Sequence, residues 1–282
     1  MKEALYWEKS GEKIHCRLCP HECKIVNGVT GICGVRRNID GKLYSMVYGE
    51  TTSVALDPIE KKPLYHYHPG EYILSLGTKG CNFKCPFCQN WAISQDMDAV
   101  TDKITPEWVV AKAKECKSFG IAYTYNEPFI WYEFVLDTAK AAKKEGLENI
   151  LVTNGYVNQG PLEEILPYIG AMNIDLKSMN PEFYVKYCRA LLEPVLNTIK
   201  RSAKLCHVEL TNLIVTGLND SDEDFNRLTD WICDNVGPDV PLHFSRYFPC
   251  YKMDAPTTPR DRLERAYAVA KKKLKNVYLG NV

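Results

Sequence analysis

A chain of 282 residues suits one large domain, or one domain with a small appendage, and is long enough to bury a core without covalent staples. Lys plus Arg and Asp plus Glu stand at 35 each, which gives no basic footprint for nucleic acid or an anionic membrane; 45% hydrophobic and 25% charged residues are ordinary for a globular protein. No run approaches the ~18 apolar residues that span a bilayer, and Met1–Lys9 has no apolar signal-peptide core, so a cytoplasmic location is expected, where twelve cysteines read as metal ligands or buried apolar groups rather than disulfides.

Residues 1–65 differ from the rest. They carry Cys16, Cys19, Cys23 and Cys33, an Asp40-Gly41 turn and a hairpin-like stretch at Leu43–Tyr48, and are expected to form a small cysteine-rich appendage. Residues 66–282 alternate short apolar runs with amphipathic ones. Tyr72–Leu76 reads as a strand, and Thr105-Pro106 opens a helix with Thr as N-cap. Ile121–Tyr125 is the next strand. A helix over Pro128–Glu145 follows, with Trp131, Val135, Ala139 and Ala142 on one face and Gly146 as its stop. Asn149–Thr153 is a strand, Leu162–Ile169 a short helix and Met172–Leu176 a strand. Asn180-Pro181 caps a helical region that Glu193-Pro194 divides. Val208–Val215 is a strand, followed by a helix opened at Asp220–Glu223 and closed by Gly237. Leu242–Tyr247, a helix opened by Thr258-Pro259, and Val277–Leu279 complete the series. Strand–helix units in such a succession imply an α/β class with a parallel sheet. Right-handed crossovers curl it into a full or partial TIM-like barrel, with an open doubly wound sheet as the alternative. In either case the active site lies at the C-terminal ends of the strands.

Gly80-Cys81-Asn82-Phe83-Lys84-Cys85-Pro86-Phe87-Cys88 follows the first of these strands and so falls at that mouth. Three thiolates within eight residues can wrap one inorganic cluster. Iron–sulfur clusters normally take four cysteines, so three leave one iron open. Zinc with three cysteines and a fourth ligand is the alternative.

Cys81-x3-Cys85-x2-Cys88, with Phe87 before the last cysteine, resembles the signature of the radical S-adenosylmethionine (SAM) superfamily. The run Gly80 to Asn90 with Trp91–Gln95 after it resembles the activating-enzyme-like branch. More narrowly, with Asp57-Pro58-Ile59-Glu60-Lys61-Lys62-Pro63-Leu64, it resembles the radical SAM member of the AmmeMemoRadiSam system. The resemblance implies a [4Fe-4S] cluster on Cys81, Cys85 and Cys88, and SAM as cosubstrate. One electron, from a donor such as flavodoxin or ferredoxin, would split SAM to a 5′-deoxyadenosyl radical that abstracts hydrogen from a protein or small-molecule substrate. It also implies cofactor-facing residues at strand ends: Asn126 and Glu127, where relatives carry a Gly-Gly-Glu-Pro-like motif, and Asp175 and Lys177; position at strand ends adds Thr153 and Asn154, and His243 lies on the sixth strand. Each has a plainer reading: a helix N-cap for Glu127, a turn for Asn154-Gly155, a salt bridge for Asp175 with Lys177, and a satisfied structural histidine for His243.

Cys16-x2-Cys19-x3-Cys23-x9-Cys33 supplies four thiols, a closed set for structural zinc or for an auxiliary iron–sulfur cluster. The Cys-Pro knuckle at Cys19-Pro20 leans toward zinc, and His15 and His21 are possible substitutes. Cys116 and Cys233 lie in apolar helix patterns and read as core. Two further functional readings stand beside the first: a glycyl-radical activase acting on a protein glycine, and a non-catalytic metal-binding adaptor.

Overall fold

In a computed structural model describing residues 1–282, eight strands pair side by side in chain order. They are β1 (Ser53–Pro58), β2 (Tyr72–Gly77), β3 (Gly120–Tyr123), β4 (Glu148–Thr153), β5 (Ala171–Asp175), β6 (His207–Ile214), β7 (Leu242–Arg246) and β8 (Val277–Gly280). β1 runs antiparallel to β2, and every later pair is parallel. A helix lies in each parallel crossover: α1 (Pro106–Glu115), α2 (Tyr132–Lys144), α3 (Gln159–Ile165), α4 (Leu192–Ser202), α5 (Asp222–Asn235) and α6 (Arg260–Ala270). Helical cover on the outer face explains why β3 is buried at all four positions, as parallel strands require. No pairing joins β8 to β1, so the sheet is a partial barrel with an open seam.

The local punctuation follows the residues. Thr105 accepts the Trp108 amide at 3.2 Å, and Gly146 ends α2 at φ +74°. The helix after Asn180 differs from the expectation at Glu193-Pro194. The break falls at Arg189, in left-handed backbone at φ 56°, and Glu193-Pro194 sit in the first turn of α4, where proline costs no hydrogen bond. Cys116 and Cys233 are half-buried against the core.

Two three-stranded sheets precede β1. One comprises Trp7–Ser10, Lys13–Cys16 and Lys24–Ile25; the other comprises Lys2–Glu3, Lys42–Ser45 and Arg36–Ile39. Ala4, Ile14, Leu18, Val35 and Leu43 bury into the same apolar cluster as Tyr123, Phe134 and Leu151. A buried ion pair fastens the segment to α2: Arg36 Nη1 donates to Glu133 Oε1 at 2.9 Å.

The segment between β1 and β2 folds across the N-terminal mouth of the barrel. Ile59 and Leu64 pack on Ile73, Ala122, Ile150 and Ala171 from the lower ends of the strands. Glu209, fully buried on β6, accepts the backbone amides of Tyr65 (3.0 Å) and His66 (2.7 Å). The opposite mouth is left for chemistry.

Candidate active site

At the C-terminal ends of the strands lies a cavity of about 210 Å³ lined by Cys81, Cys85, Cys88, Asn126, Glu127, Thr153, Asn154, Asp175 and Lys177, among others. Nine of the ten sequence-expected positions outside the N-terminal group thus meet on one space, although they come from four separate strand ends. The loop after β2 brings in the thiols. Gly80, at φ +93°, turns the chain in a conformation open to glycine. Cys81 Sγ accepts the Phe83 amide at 3.4 Å, and Cys88 Sγ contacts Ser94 Oγ at 3.2 Å. Lys84 Nζ donates to Cys81 O (3.2 Å) and Gln95 Oε1 (3.3 Å), bracing the loop.

Burial pushes Cys81 and Cys88 up, and a hydrogen bond to the Cys188 thiol, with burial, pushes Cys85 up. Three thiols facing one cavity are a soft donor set that suits an iron–sulfur cluster once they are deprotonated. In the metal-free arrangement no three His, Cys, Asp or Glu side chains are gathered to hold a single metal ion.

Glu127 ends the β3 turn. It caps the Pro128–Trp131 turn by accepting the Phe129 amide at 3.0 Å, so the N-cap reading is correct as far as it goes. It also accepts Thr153 Oγ1 at 2.7 Å and the Asn154 amide at 2.8 Å. Three donors occupy three of about four acceptor positions, which leaves room for one more. Burial raises its carboxyl from 4.5 to about 7 despite those donors.

The neighbours divide their work. Asn126 accepts the Thr78 amide (3.1 Å) and donates to Gly80 O (3.0 Å), so its amide clamps the cysteine loop. Thr153 touches Glu127. Asn154 Nδ2 donates to Asn82 Oδ1 at 2.8 Å. Lys177 Nζ pairs with Asp175 Oδ2 at 3.0 Å; both line the cavity, and Asp175 keeps the buried ammonium charged against the cost of burial.

His243 is not in this group. It is the second residue of β7, near the lower mouth, where its Nε2 lies 2.6 Å from Glu209 Oε2. Ser245, two residues on and on the same face, is the β7 residue that lines the cavity. Tyr125, Thr211 and Leu213 also line it without having been singled out; strand alternation was the signal for the last two. Cys188 and Cys250, isolated in sequence, come beside the triad, Cys250 Sγ donating to Phe87 O at 3.5 Å.

A family model described as the radical SAM superfamily matches residues 75–232. An uncharacterized protein of Methanocaldococcus jannaschii is 46% identical across 100% of this chain and 86% of its own. The (2S)-3-sulfopropanediol dehydratase activating enzyme of Klebsiella oxytoca is 28% identical over 42% of this chain and 38% of that protein. Pyruvate formate-lyase 1-activating enzyme of Escherichia coli is 27% identical over 55% and 66%. The matches to these two activating enzymes therefore span less than two thirds of their length. Among solved structures, SuiB of Streptococcus suis bound to S-adenosylmethionine superposes with a TM-score of 0.58 at 13% identity, over 74% of this chain and 52% of that one. A domain of pyruvate-formate lyase-activating enzyme from Bacteroides vulgatus gives 0.51 at 18%, over 57% and 99%. At such identities the likeness is one of fold.

Proposed function

The chain belongs to the radical SAM superfamily, and from that premise we propose that it cleaves S-adenosylmethionine reductively and turns the resulting radical on a hydrogen of its substrate. The observation that carries the reading is the meeting of Cys81, Cys85 and Cys88 with Glu127 on one cavity at the catalytic mouth. A [4Fe-4S] cluster held there by Cys81, Cys85 and Cys88 would supply the one-electron chemistry for reductive cleavage of SAM.

The chain's own residues do the rest. Cys81, Cys85 and Cys88 would hold the cluster, one thiolate short of the usual four, which would leave a position open for SAM. Glu127, with one acceptor position free, receives an ammonium such as the methionyl amine through a charge-assisted hydrogen bond. Thr153 and the Asn154 amide fix its carboxylate plane. Asn126 sets the height of the cysteine loop. Lys177, neutralised by Asp175, offers donors to the carboxylate or ribose side of the ligand. Residues 1–65 form a metal-bearing appendage, with zinc or an auxiliary iron–sulfur cluster on Cys16, Cys19, Cys23 and Cys33. Residues 66–282 form the catalytic barrel, to whose sheet the 1–65 segment adds β1 as its antiparallel edge strand. The electron comes from a one-electron donor of the flavodoxin or ferredoxin class, in a cytoplasmic setting. The wider identity within the superfamily is the AmmeMemoRadiSam branch, on the Asp57–Leu64 motif.

The test is anaerobic reconstitution with iron and sulfide, then SAM with dithionite. Formation of 5′-deoxyadenosine is expected, and its loss in Cys85→Ala. An intact triad that binds zinc alone and yields no 5′-deoxyadenosine sinks the reading in favour of a non-catalytic adaptor. The second reading, a glycyl-radical activase acting on a protein glycine, is favoured by the similarity to two activating enzymes. It predicts a glycyl radical signal on a partner protein.

A further inference from the structure

The four N-terminal thiols admit two occupants by their count alone, and the space between them separates the two. Cys16, Cys19, Cys23 and Cys33 surround one closed cavity of about 10 Å³, completed by His21, Arg36 and apolar side chains including Leu18 and Ile130. A space of that size accepts a water-sized sphere of ~1.4 Å radius. The centre of such a sphere stands roughly 3 Å or more from the surrounding sulfur atoms, wider than the ~2.3 Å of a zinc–thiolate bond. Four thiols around a space too wide for one ion suit a cluster with four cysteine ligands.

The charge of the wall agrees. Arg36 is 1% exposed. Its Nη1 is taken by Glu133 and its Nη2 by Leu5 O, but its Nε is buried without a partner. A buried N–H on a cation at the cavity wall is a donor in search of an acceptor, and cluster sulfurs are acceptors.

The cavity also backs onto the catalytic loop. Cys33 O lies 2.8 Å from the point where a Cβ on Gly80 would stand. His21 Nε2 donates to Asn82 O at 2.8 Å, one residue past Cys81, and its ring meets Tyr156 edge-on at 5.0 Å. Asn82 Nδ2 in turn donates to Tyr156 O at 2.9 Å.

We infer that Cys16, Cys19, Cys23 and Cys33 ligate a second iron–sulfur cluster, directly behind the loop that carries Cys81. The inference goes beyond the proposed function, and 5′-deoxyadenosine plays no part in its readout, so either can fail while the other stands. The probe is iron and sulfide, supplied anaerobically to the chain carrying Cys81→Ala, Cys85→Ala and Cys88→Ala together. About four irons and four sulfides per chain are expected, with an iron–sulfur Mössbauer doublet and no zinc. One zinc per chain, or no metal at all, overturns it. Should that variant fail to fold, the unaltered chain decides. Loss of about four irons from it on Cys16→Ala with Cys33→Ala supports the inference, and an iron content that this pair leaves unchanged overturns it. Cys16→Ala with Cys33→Ala is expected to halve the iron of the unaltered chain.

Discussion

Glu127 is a carboxylate whose surroundings prepare it for a cation and withhold one. Burial lifts it from 4.5 to about 7, and its three protein donors are insufficient to bring it back. The sign follows from proton linkage. Because the folded chain binds this proton more tightly than the unfolded one, the group's contribution to stability declines as pH rises from 4.5 through 7. An incoming ammonium reverses the preference. SAM affinity of the cluster-loaded protein is therefore expected to rise between pH 6 and pH 8, by up to about tenfold. Glu127→Gln is expected to flatten that profile and to weaken binding at pH 8 by roughly 10- to 100-fold, the worth of one hydrogen bond to a charged group. Equilibrium dialysis at the two pH values reads both; a flat profile in the unaltered protein removes Glu127 from the role. The Glu-Pro pair made this residue legible in sequence. The fate of Asn126, whose amide is spent on Thr78 and Gly80, was not legible, because it depends on a loop 46 residues earlier in the chain. His243 was misplaced for a simpler reason. A strand's face can be read from alternation, but its height cannot, and two residues amount to about 7 Å along the barrel axis.

At the level of elements, the Asp57–Leu64 run has a structural reason to exist. Asp57 is the penultimate residue of β1, and Lys62 lies five residues on, 2% exposed, with its Nζ 2.7 Å from Asp57 Oδ2. Tyr125, at φ 70° after β3, donates its hydroxyl to the same oxygen at 2.7 Å, and Lys62 Nζ sits 4.7 Å above its ring. Burial raises the Asp57 carboxyl, but the donors from Lys62 and Tyr125 win and hold it well below the usual carboxylate range. A bulky residue in left-handed backbone costs of the order of 1–3 kcal/mol unless its surroundings dictate it. The Asp57–Lys62 pair therefore fixes Tyr125 in the cavity wall. Lys62→Met leaves Asp57 with the Tyr125 hydroxyl and the exposed Lys61 and is expected to destabilise the protein by about 1.5–3 kcal/mol. Asp57→Asn combined with Lys62→Met is expected to recover much of that loss. Urea unfolding measures both, and a Lys62→Met protein as stable as the parent disposes of the clamp. In sequence the motif was visible only as a resemblance. No periodicity links Asp57 to Tyr125 across 68 positions. The elements themselves were readable because capping residues such as Thr105 and the stop at Gly146 act within a few residues of where they stand.

The whole molecule has two ends and a seam, and these set its last requirement. Strand order was recoverable because each crossover contains its own helix and each strand is a short buried run. The failure of β8 to meet β1 was not, since closure depends on the curvature of all eight strands together. What bridges the seam at the lower mouth is the 59–71 segment, where His66 Nε2 reaches Tyr278 Oη at 2.5 Å, and Glu209 is its anchor. With Glu209 ionised, His207 Nε2 (3.0 Å) and His243 Nε2 (2.6 Å) both donate to it, along with the Tyr65 and His66 amides. Burial raises its carboxyl, but these four donors outweigh burial and bring it down from 4.5 to about 2. A depressed carboxyl contributes stability that is complete above 4.5 and is lost as pH falls toward 2. Glu209→Gln keeps the volume and removes the charge, so it is expected to cost about 3 kcal/mol at pH 7, the sum of weakened hydrogen bonds to a charged acceptor. The same substitution is expected to cost much less at pH 3, where the parent has itself begun to lose that contribution. Urea unfolding at the two pH values tests the sign. Hydrogen exchange at the Tyr65 and His66 amides tests the location, because loss of the anchor frees these two before it frees the sheet. Equal destabilisation at both pH values, with unchanged protection of those amides, means that the lower mouth is held by Ile59 and Leu64 packing and not by Glu209.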